Sequence, residues 1–235
     1  MQAKVLKNKI NLKNNHGFTL IEILVAMILI IVVLYAFSGM NPFDSKNDLE
    51  DAVLDFKRAV RFIADESALR NTTTRIHIYM DKSPQEWSVE YGPSANFIQA
   101  PKKENETQTI SKEEEEKLQK ETKQINLKFQ RVTEFMDENK EVSDNVKVVG
   151  LGNLQSDFLQ TKGEVAIYSY PTGEKDQAIL FLADDERLAA IKIDAFSNKI
   201  THNYYLLGTI EEKDIESKIS QKTKEIFEKW LREKN

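Results

Sequence analysis

Phe18 to Phe37 reads FTLIEILVAMILIIVVLYAF, 20 residues that contain a single charge, Glu22. A helix of about 20 apolar residues matches the roughly 30 Å hydrocarbon thickness of a bilayer. The mean hydropathy of the chain, −0.50, conceals this segment. Outside it the chain is polar: of 235 residues, 33 are Lys or Arg and 38 are Asp or Glu. That length suits one domain with an appendage, or two small domains. With no cysteine, disulfides, thiolate metal sites and cysteine nucleophiles are excluded together. Mild acidity argues against a dedicated nucleic-acid binder, which carries a basic excess.

The flanks of the apolar run differ in charge. Residues 1–17 carry Lys4, Lys7, Lys9 and Lys13 and no acid, whereas residues 41–56 hold Asp44, Asp48, Glu50, Asp51 and Asp55 against Lys46. Positive charge before the span and acid after it place the N-terminus in the cytoplasm and the body outside. A cleavable secretory signal has a shorter apolar region closed by small residues; here the run is longer and nothing like Ala-x-Ala ends it. A plain uncleaved anchor fits the length but leaves Glu22 unexplained, because a carboxylate in hydrocarbon is costly and needs a compensating partner.

Gly17-Phe18-Thr19-Leu20-Ile21-Glu22 resembles the cleavage and assembly motif of type IV pilins and type II secretion pseudopilins. The matching residues are the Gly before the cut, the Phe after it and the Glu four residues further on. Glycine leaves the backbone at a cut site free of any side chain. Cleavage there would discard the basic leader and keep the apolar helix. The resemblance implies N-methylation of Phe18, and pairing of Glu22 with the new Phe18 amine to set register in a filament. The implied partners are prepilin peptidase, other major and minor pseudopilins, an inner-membrane assembly platform and the lipid bilayer. Loss of the four leader lysines leaves 29 basic against 38 acidic residues, a net charge of −9, and nucleic acid is not expected as a partner.

Gly39, Asn41 and Pro42 interrupt the helix beyond the span. Asp48 to Leu69 then reads as an amphipathic helix with Leu49, Ala52, Val53, Phe56, Val60 and Ile63 on one stripe. Strand-like pieces follow at 75–79, 87–91, 146–149, 165–170, 178–182, 188–193 and 200–205, several separated by turn residues. Short strands after a long helix indicate an α+β fold. The expected architecture is pilin-like, a long N-terminal helix packed on an antiparallel β-sheet domain. The stretches 64–80 and 167–200 resemble the helix-to-first-strand passage and late hairpins of the H-type minor pseudopilins. Ser197-Asn198-Lys199 stands where that family often has Thr-Gly-Arg.

The expected organisation is a cleaved leader at 1–17, a transmembrane assembly helix at 18–40 and its amphipathic continuation at 41–70. A periplasmic β-rich domain at 71–210 and a helical tail at 211–235 complete it. The stretch 93–145 reads as a charged insertion, with Ser111-Lys112-Glu113-Glu114 as a capping box and Leu127–Met136 ambiguous between strand and helix. In the tail, Ile215, Ile219, Ile226 and Trp230 form a narrow seam that suits either a neighbouring subunit or the chain's own sheet.

The remaining polar residues suggest little chemistry. Asp184-Asp185-Glu186 reads as an exposed acidic turn rather than a cation site. His16 lies in the leader, and His77 and His202 sit singly on strand patterns without zinc-ligand spacing. No hydrolase elbow, phosphate-binding glycine loop or metalloprotease helix motif occurs. The expectation is a non-enzymatic minor pseudopilin without metal or cofactor, anchored by a single pass in the bacterial inner membrane. The alternatives are a minor type IV pilin and a membrane-anchored periplasmic sensor or enzyme.

Overall fold

A computed structural model of the protein describes residues 19–38, 45–94, 120, 123–208 and 214–234. The chain divides into two compact units, Met1–Phe43 and Asp44–Asn235. In the first, helix α1 spans Leu20–Ser38. In the second, helix α2 (Ser45–Arg70) precedes the strands. Its stripe forms as expected: Leu49, Val53, Phe56, Val60 and Ile63 are all but fully buried, and Ala59 joins them. Asn71 ends α2 with φ 50°, a left-handed conformation that asparagine tolerates better than most residues.

The described strands form two five-stranded antiparallel sheets rather than the one sheet expected. In the first, β1 (Thr72–Tyr79) lies between β2 (Glu86–Ser94) and β7 (Glu164–Ser169). Two short strands, β3 (Gln130–Arg131) and β4 (Lys140–Glu141), pair with different parts of β2. In the second sheet, β5 (Lys147–Asn153), β6 (Phe158–Gln160), β8 (Ala178–Ala183), β9 (Arg187–Ile193) and β10 (Thr201–Leu206) run in the order β10-β9-β8-β5-β6.

Helix α2 packs on both sheets, and side chains from all three share one core. Alternation along β1 explains its part: Ile76 and Ile78 enter that core, while Arg75 and His77 lie on the opposite face. Strand β8, AILFLA, is buried at every position. Leu180 and Leu182 face the α2 core, and Ile179 and Phe181 belong to a second core. An uninterrupted apolar strand requires a cover on each face.

The second cover is the C-terminal helix α3 (Ile215–Lys234). Ile226, Phe227 and Trp230 pack with Ile179, Phe181, Leu188 and Ala190, so the tail seam docks on the chain's own sheet. Gly152 makes room for it, since a Cβ there would lie 2.2 Å from the Phe227 ring. Trp230 is 1% exposed. Trp230→Ala is expected to lower the unfolding free energy by about 3–5 kcal/mol, measurable by denaturant titration of the circular dichroism signal.

The stretch 93–145 differs from a simple loop. The capping box expected at 111–114 lies outside the described residues, but 123–145 belongs to the fold. Phe129, Val132 and Val142 are buried, and β3 and β4 hydrogen-bond to β2. Leu127–Met136 resolves into turns around β3.

Candidate functional site: the start of helix α1

Thr19 and Glu22 bracket the first turn of α1. The Glu22 amide donates to Thr19 Oγ1 at 3.3 Å, and the Thr19 amide donates to Glu22 Oε2 at 3.5 Å. This reciprocal pair is a capping box, in which each side chain satisfies a backbone donor that the helix leaves open. Its Thr-x-x-Glu signature is legible in the sequence, and the reading that expected Glu22 to act in register did not use it. The box turns the Glu22 carboxylate back towards the residue that follows Phe18, at the end of the helix whose dipole favours a negative charge. The expected cleavage pair, Gly17 and Phe18, and the leader lie outside the described residues. Of the other motif residues, Leu20 and Ile21 are 83% and 70% exposed.

Exposure of apolar side chains extends along α1. Leu24, Met27, Ile28, Leu29, Ile30, Ile31 and Val32 are each more than half exposed. Successive residues of a helix point in different directions, so no single face is polar. Such a helix requires an apolar environment on all sides, from lipid or from other helices. Among the described residues no helix is long and apolar enough to cross a membrane. The described side chains of α1 end at Val32, about 20 Å of rise from Leu20.

The polar residues singled out in the body have structural partners. Asp184 accepts hydrogen bonds from the Glu186 and Arg187 amides and forms an ion pair with Arg187. The acidic turn is therefore built around its first carboxylate. His202 lies 3.2 Å from Lys57 Nζ; burial, then the Lys57 charge, lowers its pKa. Among the described residues no three His, Asp or Glu side chains converge as a metal site.

His77 belongs to a buried ionic cluster that sequence reasoning missed. Arg75 is 1% exposed and sits over the Phe129 ring at 3.9 Å. Its Nε and Nη2 reach Glu90 Oε2 at 2.7 and 2.6 Å, and Nη1 donates to Asn126 Oδ1 at 2.7 Å. Glu90 also accepts from Ser88 Oγ, and His77 lies 3.4 Å from Glu90 Oε1 and 3.2 Å from Glu164 Oε2. Burial pushes the Glu90 carboxyl up, but the His77 hydrogen bond and the Arg75 charge outweigh it and hold its pKa at about 2. The available signal was the juxtaposition of Arg75 and His77 on one face of β1 with Glu90 on β2, visible only once the pairing register is known. Phe129 and Asn126 cover the cluster, so the second half of the supposed insertion closes this face of the sheet.

Comparison with known proteins agrees with the geometry of α1. Residues 12–34 match the family model of the prokaryotic N-terminal methylation motif. The chain carries a type IV pilin-like prepilin signal. The match includes Gly17, Phe18 and the Thr19–Glu22 box, and it supports a pilin-like protein in general. None of the curated proteins and none of the solved structures compared matches the chain significantly. The α+β body, with a helix followed by antiparallel sheets, is consistent with a pilin-like fold.

Proposed function

We propose that the protein is a minor pseudopilin, a structural subunit of the periplasmic pseudopilus of a type II secretion system. The observation that carries this reading is the prepilin signal at residues 12–34 joined to a helix whose described side chains, Glu22 apart, are apolar and uncovered. Prepilin peptidase cuts between Gly17 and Phe18, and the amine of Phe18 is methylated. Before the cut, α1 anchors the precursor as a single pass in the inner membrane, with the leader in the cytoplasm and the body in the periplasm. After it, α1 moves from lipid into a bundle of like helices supplied by the other pseudopilins on the inner-membrane platform. Both environments match its apolar surface. The body acts as a structural module without catalysis of its own. The net charge of −9 left after leader removal favours a protein-transport filament over one that grips nucleic-acid phosphates.

Mass spectrometry of the mature N-terminus tests this reading. A chain that begins with N-methylated Phe18 is the expected result. An intact leader in cells with active prepilin peptidase would overturn it.

A further inference from the structure

Between α2, the β7–β8 loop and the β9–β10 loop lies a cleft lined by Val60, Arg61, Ala64 and Asp65 of α2, by Lys175 of the first loop and by Asn198 and Ile200 of the second. Its volume is about 140 Å³, room for about four or five waters at roughly 30 Å³ each. Lys175 is 3% exposed, and its Nζ is buried with no hydrogen-bond partner among the described residues. The backbone holds it there: its amide donates to the Ala195 carbonyl at 2.9 Å, and it forms a bridge with Ser169. Asp194 and Asp65 are the acids whose charges act on it. Asp194 is already engaged by Lys234 and by the Phe196 and Ser197 amides. Burial lowers the Lys175 pKa against those two charges.

A buried ammonium without a partner is costly, and a carboxylate that accepts its hydrogen bonds removes most of that cost. We propose that this cleft binds a carboxylate group, which draws the Lys175 Nζ out of its buried position to donate hydrogen bonds to it. Arg61, exposed on α2, supplies a second positive charge, and the Asn198 amide supplies a neutral donor. Ala64 and Ile200 offer an apolar wall to a short methylene stem. Asp65 in the same cleft repels a dianion, which disfavours phosphate and favours a singly charged acid. The carboxylate belongs either to an Asp, Glu or C-terminus of another polypeptide or to a small soluble acid. The proposal stands on the body alone and does not depend on the reading of the N-terminus.

Carbodiimide cross-linking separates the sources. The full chain, in the membranes of cells that express it, is treated with a water-soluble carbodiimide and digested for mass spectrometry. An amide between Lys175 and an acid of a second polypeptide is the expected result, reduced at least fivefold by Arg61→Glu. Arg61 is exposed, so that substitution leaves the fold intact where Lys175→Gln risks disturbing it. In a parallel arm, butyrate, a singly charged acid with a short methylene stem, is added to the detergent-solubilised full chain before acetic anhydride. Acetylation of Lys175 in the chain without the added acid, and at least fivefold less acetylation with it, would identify a soluble acid as the occupant. The proposal is overturned if Lys175 links only to Asp65 or Asp194 of its own chain. It is also overturned if Lys175 is neither linked to a second chain nor protected.

Discussion

Glu22→Ala is expected to leave cleavage after Gly17 intact and to reduce recovery in filaments at least tenfold. A tenfold loss corresponds to about 1.4 kcal/mol of assembly free energy. The carboxylate is the single charge between Phe18 and Phe37, and an ionised group retained in an apolar segment needs a compensating partner. The capping box turns it back to the Thr19 amide, one residue from the amine that the proposed cleavage would create. Two companions divide its roles. Glu22→Gln keeps a side chain able to complete the box but removes the charge, while Thr19→Ala removes the cap and keeps the charge, at about 1 kcal/mol of helix stability. If the amine–carboxylate pair drives assembly, Gln fails like Ala and Thr19→Ala assembles substantially better. Immunoblots of sheared or cross-linked filament fractions provide the measurement. Wild-type incorporation of Glu22→Gln would show that the box, and not the charge, is what matters.

Arg75→Met is expected to cost about 3–5 kcal/mol at pH 7, because it strands the buried Glu90 carboxylate without its cation. For a chain of this size that is a fall in melting temperature of roughly 6–20 °C, readable by thermal circular dichroism. The deficit depends on pH in a defined direction. Glu90 titrates at about 2 in the fold against an ordinary 4.5. Its contribution is therefore fully present above pH 4.5 and is lost as pH falls towards 2, a change of about 3 kcal/mol. The gap between Arg75→Met and wild type should close over that interval. Asp176 works in the opposite sense. Burial raises its pKa from 3.8 to about 6 against hydrogen bonds from the Tyr168 amide and the Tyr170 hydroxyl, so its contribution is present below 3.8 and lost as pH rises through 6. It is common to both proteins and cancels in the difference. A gap that stays constant from pH 7 to pH 3 would mean that the Arg75–Glu90 pair is not what holds this face together.

Local patterns were legible where one face of an element meets one core. The α2 stripe, the β1–β2 hairpin and the run from β8 to β10 all follow from periodicity and turn residues, within a few residues of their observed ends. Strand β6 was not legible. At three residues, with each partly buried, it is too short to alternate. Strands β3 and β4, of two residues each, exist only because the edge of β2 offers them partners. Among the described residues, the charged composition of 93–145 hid buried Phe129, Val132 and Val142, which lie too far apart to make a pattern.

The sequence by itself determined the prepilin-type signal at residues 12–34. A prepilin signal is a local object: a glycine, a capping box, a basic flank and an apolar run are contiguous, and each acts through its immediate neighbours. It also determined the α+β class, since periods of 3.6 and 2 are local properties of helix and strand. Only the tertiary structure decided that the strands divide into two sheets sharing α2, and that α3 closes the second sheet rather than remaining free. It also decided that Arg75, His77 and Glu90 are interior and that Lys175 is a buried amine beside a cleft. The reason is common to all four. Burial depends on which residues distant in the chain come to cover a surface, and a charged residue reads the same in sequence whether water or a phenyl ring lies over it.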